Sequence, residues 1–63
     1  LSATDLLVFK ALFDRRKDWA DIEELLRFGK PDLDEATRWL VKIVGAKDKR
    51  LATLAEVVAD AAS

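Results

Sequence analysis

The sequence contains no cysteine, no histidine, no methionine and no tyrosine, and it has only two glycines and one proline. Without cysteine there is no disulfide framework, thiolate metal site or cysteine nucleophile. Without histidine there is no imidazole ligand and no histidine-based acid–base catalysis. Any pH response near neutrality would have to come from a perturbed carboxylate or amine. The two isolated glycines exclude a glycine-rich phosphate loop. No apolar stretch approaches the roughly 18 residues a transmembrane helix needs, and no secretory signal pattern is present. The absence of cysteine fits a cytoplasmic protein. With no methionine and Leu1 as its first residue, the chain reads as a trimmed or matured piece of something longer.

Charge of one sign is lacking too. Eleven basic residues face twelve acidic ones, a net of −1. Residues 1–31 carry six of each sign, and residues 32–63 carry five basic and six acidic. A free-standing nucleic-acid binder carries a basic excess, so nucleic acid is not the expected partner. Sixty-three residues make a single domain, of a size at which apolar burial and ordering entropy nearly cancel. Support from a partner surface would therefore matter.

What remains is helix-forming composition throughout, predicting an all-α fold: a small bundle of three strong helices and a weaker fourth, with short connections. Ser2 opens the first helix, with Asp5 in capping-box position. Of Leu6, Leu7, Val8, Phe9, Lys10, Ala11, Leu12 and Phe13, seven are apolar, so most of this helix's circumference must be covered. Arg15-Arg16-Lys17 then forms a basic connector. Asp18 is expected to cap the second helix, followed by Asp21, with Trp19, Ile22, Leu25, Leu26 and Gly29 on one stripe. Gly29 suits a left-handed stop, and Pro31 blocks continuation. Asp32 and Glu35 form the start of the third helix, whose stripe is Leu33, Ala36, Trp39, Leu40, Ile43 and Val44; Gly45 ends it. Asp48 is the expected cap of the fourth, with Leu51, Leu54, Ala55, Val58 and Ala62 on one face and a small-residue tail from Ala59 to Ser63 that should fray. Short connections favour antiparallel neighbours, in an orthogonal or up-down bundle.

The acid pairs Asp18/Asp21 and Asp32/Glu35 have a capping explanation before a catalytic one. Trp19 and Trp39 fall on core stripes and read as packing residues rather than stacking platforms. Lys10 is the odd residue, a cation inside the most apolar helix. Its ordinary reading is a narrow wet strip paired with Asp14 four residues on; its sharper reading is a cation at a cleft, ready for a phosphate. A helix-turn-helix across Gly29-Lys30-Pro31 is disfavoured because Asp32, Asp34 and Glu35 would meet phosphates at the start of the recognition helix.

Residues 2–26 nonetheless contain a spaced pattern: Asp5-Leu6, then Lys10, Arg15, Lys17, Asp18, Asp21 and Ile22. This resembles the helical segment that follows the catalytic sheet in small bacterial nucleotidyltransferase-fold proteins, among them toxin components of abortive-infection-type toxin–antitoxin systems. Their pattern is an acidic-Leu start, an apolar helix with an internal Lys, and Arg-x-Lys-Asp-x-x-Asp. The resemblance implies an α/β domain upstream that holds Mg²⁺ and a nucleoside triphosphate on a Gly-Ser motif and paired acids. It implies that Lys10 faces the nucleotide cleft as a phosphate contact, with Asp18 and Asp21 as the pattern's acids and Arg15 or Lys17 as their charge partners. The Gly-Ser motif and the metal-binding acids have no counterpart in these residues, so the piece is expected to be inert alone although its parent would be a nucleotidyltransferase. The alternative from another class is an independent helical interaction module, with a second copy as its mate, and a small DNA-binding domain ranks behind both.

Overall fold

The computed structural model describes residues 1–62, and every regular element in them is helical. Helix α1 spans Ala3–Phe13, α2 Arg16–Glu24, α3 Leu33–Val44 and α4 Lys49–Ala62; a π-helical turn, Leu25–Gly29, extends α2. The expected all-α bundle with short connections is therefore present. No helix among the described residues is long and apolar enough to cross a membrane.

The helix starts follow local chemistry. The Ser2 hydroxyl accepts from the Asp5 backbone N–H at 3.1 Å, and the Asp32 carboxylate accepts from that of Glu35 at 3.0 Å. Asp48 caps α4 by accepting from the Arg50 N–H at 2.9 Å. At α3, the Asp32 N–H, which a complete capping box would give to Glu35, donates instead to the Thr4 hydroxyl at 2.8 Å. A local cap has become a tie between helices 28 residues apart.

The start of α2 departs from the sequence reading. Arg15, with extended backbone and no side-chain cap bond, holds the position before the first helical residue, and Asp18 lies inside the first turn. Its carboxylate is drawn away from capping by two cations. The end of this helix differs as well: the left-handed residue is Lys30 (φ 49°), and Gly29 belongs to the π-turn. Gly29 matters for closeness, since a Cβ there would lie 3.3 Å from the Cβ of Ala3. Gly45 ends α3 at φ 94°, a conformation that glycine adopts without strain.

Contacts fix the helix directions. Asp14 meets Trp19, Lys10 meets Asp21, and Gly29 meets Ala3, so α1 and α2 run antiparallel. Thr4 meets the start of α3, which runs with α1, and Lys49 approaches Asp14, so α4 runs against α1. The result is an up-down-up-down bundle with connections of two, three and four residues.

The core is formed by Leu7, Val8 and Ala11 of α1, Ile22 of α2, Ala36 and Leu40 of α3, and Leu54 of α4. Helix α1 touches every other element, which accounts for its nearly uniform apolarity. The coverage is incomplete: Phe9 and Phe13 are 46 % and 59 % exposed. On α3 the expected stripe is wider than the helices available to cover it, so Trp39 and Ile43 stand outside the core, 48 % and 54 % exposed. Ala55 of α4 is likewise exposed, while Leu51, Val57 and Val58 are partly covered. Helix α4 extends through Ala62; Ser63, the last residue of the small-residue tail, lies outside the described residues.

Two outcomes follow. Leu40→Ala, which empties a fully buried position, is expected to lower stability by about 2–5 kcal/mol in urea melts. Leu54 is the one buried side chain of α4 among the described residues. Leu54→Ala should therefore speed amide hydrogen exchange in Lys49–Ala62 more than in Ala3–Phe13. Equal acceleration in both helices would show that α4 is not separately anchored.

Candidate functional site

The polar centre of the molecule lies where α1 meets the start of α2. The apolar helix α1 carries one cation, Lys10, on the side that faces α2, and α2 begins with charged residues. Antiparallel packing brings the two sets together. Asp18, the third residue of α2, is wholly buried, with no exposed surface. A carboxylate removed from water needs charge-assisted hydrogen bonds to stay ionised, and Asp18 has them. Arg15 Nε donates to one oxygen at 2.6 Å, and Arg15 Nη2 donates to the other at 3.4 Å. Lys10 Nζ stands 3.5 Å from that second oxygen. Lys10 also donates to Asp21 at 2.8 Å, at the rim. Two cations and two carboxylates thus form one balanced network.

The titration behaviour follows from these contacts. The Arg15 guanidinium, bonded to the carboxylate, holds the Asp18 pKa below the ordinary carboxylate value, against the opposing effect of burial. The hydrogen bond to Asp21 raises the Lys10 pKa above that of a free lysine, with Asp18 adding attraction. Asp18 raises that of Arg15 in turn.

A second node adjoins the first. Asp14 ends α1 in the left-handed region (φ 55°), which aspartate tolerates better than most residues. Its carboxylate accepts from the Trp19 indole N–H at 2.8 Å and stands 3.6 Å from Lys49. The indole bond is the leading cause of a lowered Asp14 pKa. The expected Lys10–Asp14 pair does not form. Lys10 turns to α2 instead, and Asp14 is taken by Trp19 and Lys49.

Of the five residues that the resemblance singles out, Lys10, Arg15, Asp18 and Asp21 meet in the network. Lys17 is exposed and makes no ion pair among the described residues. The sequence reading missed Asp14 and Trp19 as partners, although the five-residue spacing across a tight turn between two helices offered a signal.

Lys10 and Asp21 form one wall of an open groove of about 450 Å³, completed by Leu6, Glu24, Leu25, Phe28 and Gly29. Lys10 is its single cation and Asp21 and Glu24 are its acids. An anion entering here would meet Lys10 only by competing with Asp21. Among the described residues no group of three or more His, Cys, Asp or Glu is placed to hold a metal ion. Comparison with protein-family models, curated proteins and solved structures finds no match for this chain.

The network sets a pH dependence. Asp18 and Asp14 bind fewer protons folded than unfolded near their pKa values, so their stabilisation is complete above the ordinary carboxylate range and lost as pH falls through and below it. Lys10 has the opposite sign: its contribution is complete below the ordinary lysine pKa and lost as pH rises through the higher folded value. Asp18→Asn is expected to lower the thermal midpoint at neutral pH and to flatten its decline on acidification. Circular-dichroism melts from pH 7 to about 2.5 measure both. An acid limb as steep as that of the wild type would show that another carboxylate dominates it.

Proposed function

We propose that this chain is the helical companion of an α/β nucleotidyltransferase-type domain, in a bacterial cytoplasmic protein, and that it presents Lys10 to the nucleotide bound there. On this reading the helices alone carry no transferase activity. The observation that carries the reading is the convergence of Lys10, Arg15, Asp18 and Asp21, spread over two helices, on a single network beside an open groove. A buried carboxylate held by Arg15 and assisted by Lys10 is a positioning device. It fixes the lysine stem while the ammonium, on a side chain 26 % exposed, stays within reach of the groove. Phe28, 77 % exposed beside that groove, supplies apolar surface for the domain to cover. A triphosphate brought in by that domain would displace Asp21 from Lys10. Lys10 would then stabilise charge on the phosphoryl group, as clamping cations do in phosphoryl transfer.

A second reading, an interaction module that works without such a domain, is favoured by a different observation: Phe9, Phe13, Trp39 and Ile43 are each about half exposed. DNA recognition has less support, because α3 starts with Asp32, Asp34 and Glu35.

The first test is the gene. Coding sequence upstream should contain a strand followed by Gly-Ser and closely spaced acids; its absence would overturn the nucleotidyltransferase part. In the joined protein, Lys10→Ala should reduce nucleotidyl transfer from a radiolabelled triphosphate with Mg²⁺ by about a hundredfold. Lys10→Arg should recover part of that loss. A Lys10→Ala enzyme within about twofold of wild type would leave the network a purely structural role.

A further inference from the structure

The side of α1 away from Lys10 raises a separate question. Phe9 and Phe13 lie one turn apart on α1, and Trp39 and Ile43 lie one turn apart on α3. Phe9, Trp39 and Ile43 line one groove of about 270 Å³ between the two helices, floored by Val8 and Leu12. Phe13 lies one turn beyond Phe9, and with half or so of each side chain in water these four residues expose about 400 Å² of largely apolar surface. That is the size of the largest apolar patch on a typical monomer, which is often a functional one.

The charges around this patch are not scattered. Asp5 borders the groove at the α1 start, and Glu35 lies one turn before Trp39 on α3. C-terminal to them, Arg38 and Lys42 flank Trp39, with Lys42 over its ring 5.3 Å from the centroid, and Arg15, also bonded to Asp18, sits over Phe13 at 5.0 Å. Because α1 and α3 run the same way, the two acids lie toward the helix N-termini and the three bases, Arg15, Arg38 and Lys42, lie C-terminal to them. A surface with acids at one end, bases at the other and an apolar centre is complementary to itself after a two-fold rotation.

We propose that the α1/α3 face binds a second copy of this chain as a closed antiparallel dimer. Phe9, Phe13, Trp39 and Ile43 of the two copies form its centre; because the two-fold sets α1 against α1 and α3 against α3, Asp5 of each copy faces Arg15 of the other and Glu35 faces Lys42. The sizes agree with this arrangement. Two such patches supply about 800 Å² of apolar surface, close to the apolar share of an interface burying about 1,600 Å² in total. The contact is isologous, so it closes at two copies and leaves no free patch for further addition. The Lys10 groove lies on the α2 side of α1 and stays open in the dimer, so this assignment stands independently of the proposed function.

The experiment is sedimentation of the chain from about 5 to 500 µM, a range set by the affinities of interfaces of this size, with circular dichroism to confirm helicity. The wild type should pass from monomer to dimer in that range. Ile43→Glu, at an exposed position, should weaken the dimer by about thirtyfold or more. Lys42→Glu places like charges opposite Glu35 of the other copy and should weaken it by about tenfold. Adding Glu35→Lys to Lys42→Glu should bring the dissociation constant back to within about threefold of wild type. A monomer at every concentration overturns the proposal, as do assemblies larger than two. A dimer that ignores Ile43→Glu overturns the choice of face. Loss on Lys42→Glu without recovery in the double variant overturns the antiparallel arrangement. Lys42 is exposed and Glu35 only partly covered, so the cycle remains decisive if an apolar-face variant fails to fold.

Discussion

A single buried carboxylate organises this small bundle. Asp18 has no exposed surface, and without Arg15 and Lys10 it would be an uncompensated charge in the interior. That requirement dictates where α2 begins, because Arg15 must lie close enough in sequence to reach back over the first turn. It also dictates how α1 is rotated, because Lys10 must face α2 rather than water. Once α1 is set in that orientation, Leu7 and Ala11 fall into the core and Phe9 and Phe13 fall outside it. Hydrophobic burial supplies most of the driving force for folding, but it is non-directional. The ion network supplies direction, because Lys10 reaches Asp18 and Asp21 only with this side of α1 turned to α2.

Much of the architecture was legible in the sequence because it rests on local chemistry. Ser2, Asp32 and Asp48 cap the helices they precede, and Gly45 stops α3, since each bond spans only a few residues. The misreadings share a different cause. Asp18 has the local signature of a cap, yet cations from two segments outcompete the backbone N–H groups for its oxygens. Lys10 and Asp14 have the spacing of a helical pair, but each finds a better-placed partner on another helix. Trp39 and Ile43 share a stripe with Leu40, and periodicity alone does not reveal how wide the facing helices are. Gly29 was read as a left-handed stop, whereas the π-turn moved that role to Lys30. The cluster of Lys10, Arg15, Asp18 and Asp21 was legible as a spacing pattern, while its geometry depends on antiparallel packing that no local rule encodes.

Helix α1 has two unlike sides. Toward α2 it offers Lys10 and Leu6 to a groove whose remaining polar groups are acidic. Toward α3 it offers aromatic surface beside Trp39. A helix at the centre of a larger protein would have both sides covered by its own chain. Here four short helices cannot enclose it, so its excess apolar surface is available for contacts beyond the bundle.

The even number of alternating helices has a consequence for connectivity. Leu1 and Ala62 emerge at the same pole, where α1 and α3 start and α2 and α4 end. The opposite pole holds only the short turns at Asp14–Arg15 and at residues 45–48. The unit is therefore hairpin-like in its attachment, tethered from one end with its turns free. Any polypeptide joined at either terminus would leave from that one pole, beside the end of the Lys10 groove that Leu6, Phe28 and Gly29 close.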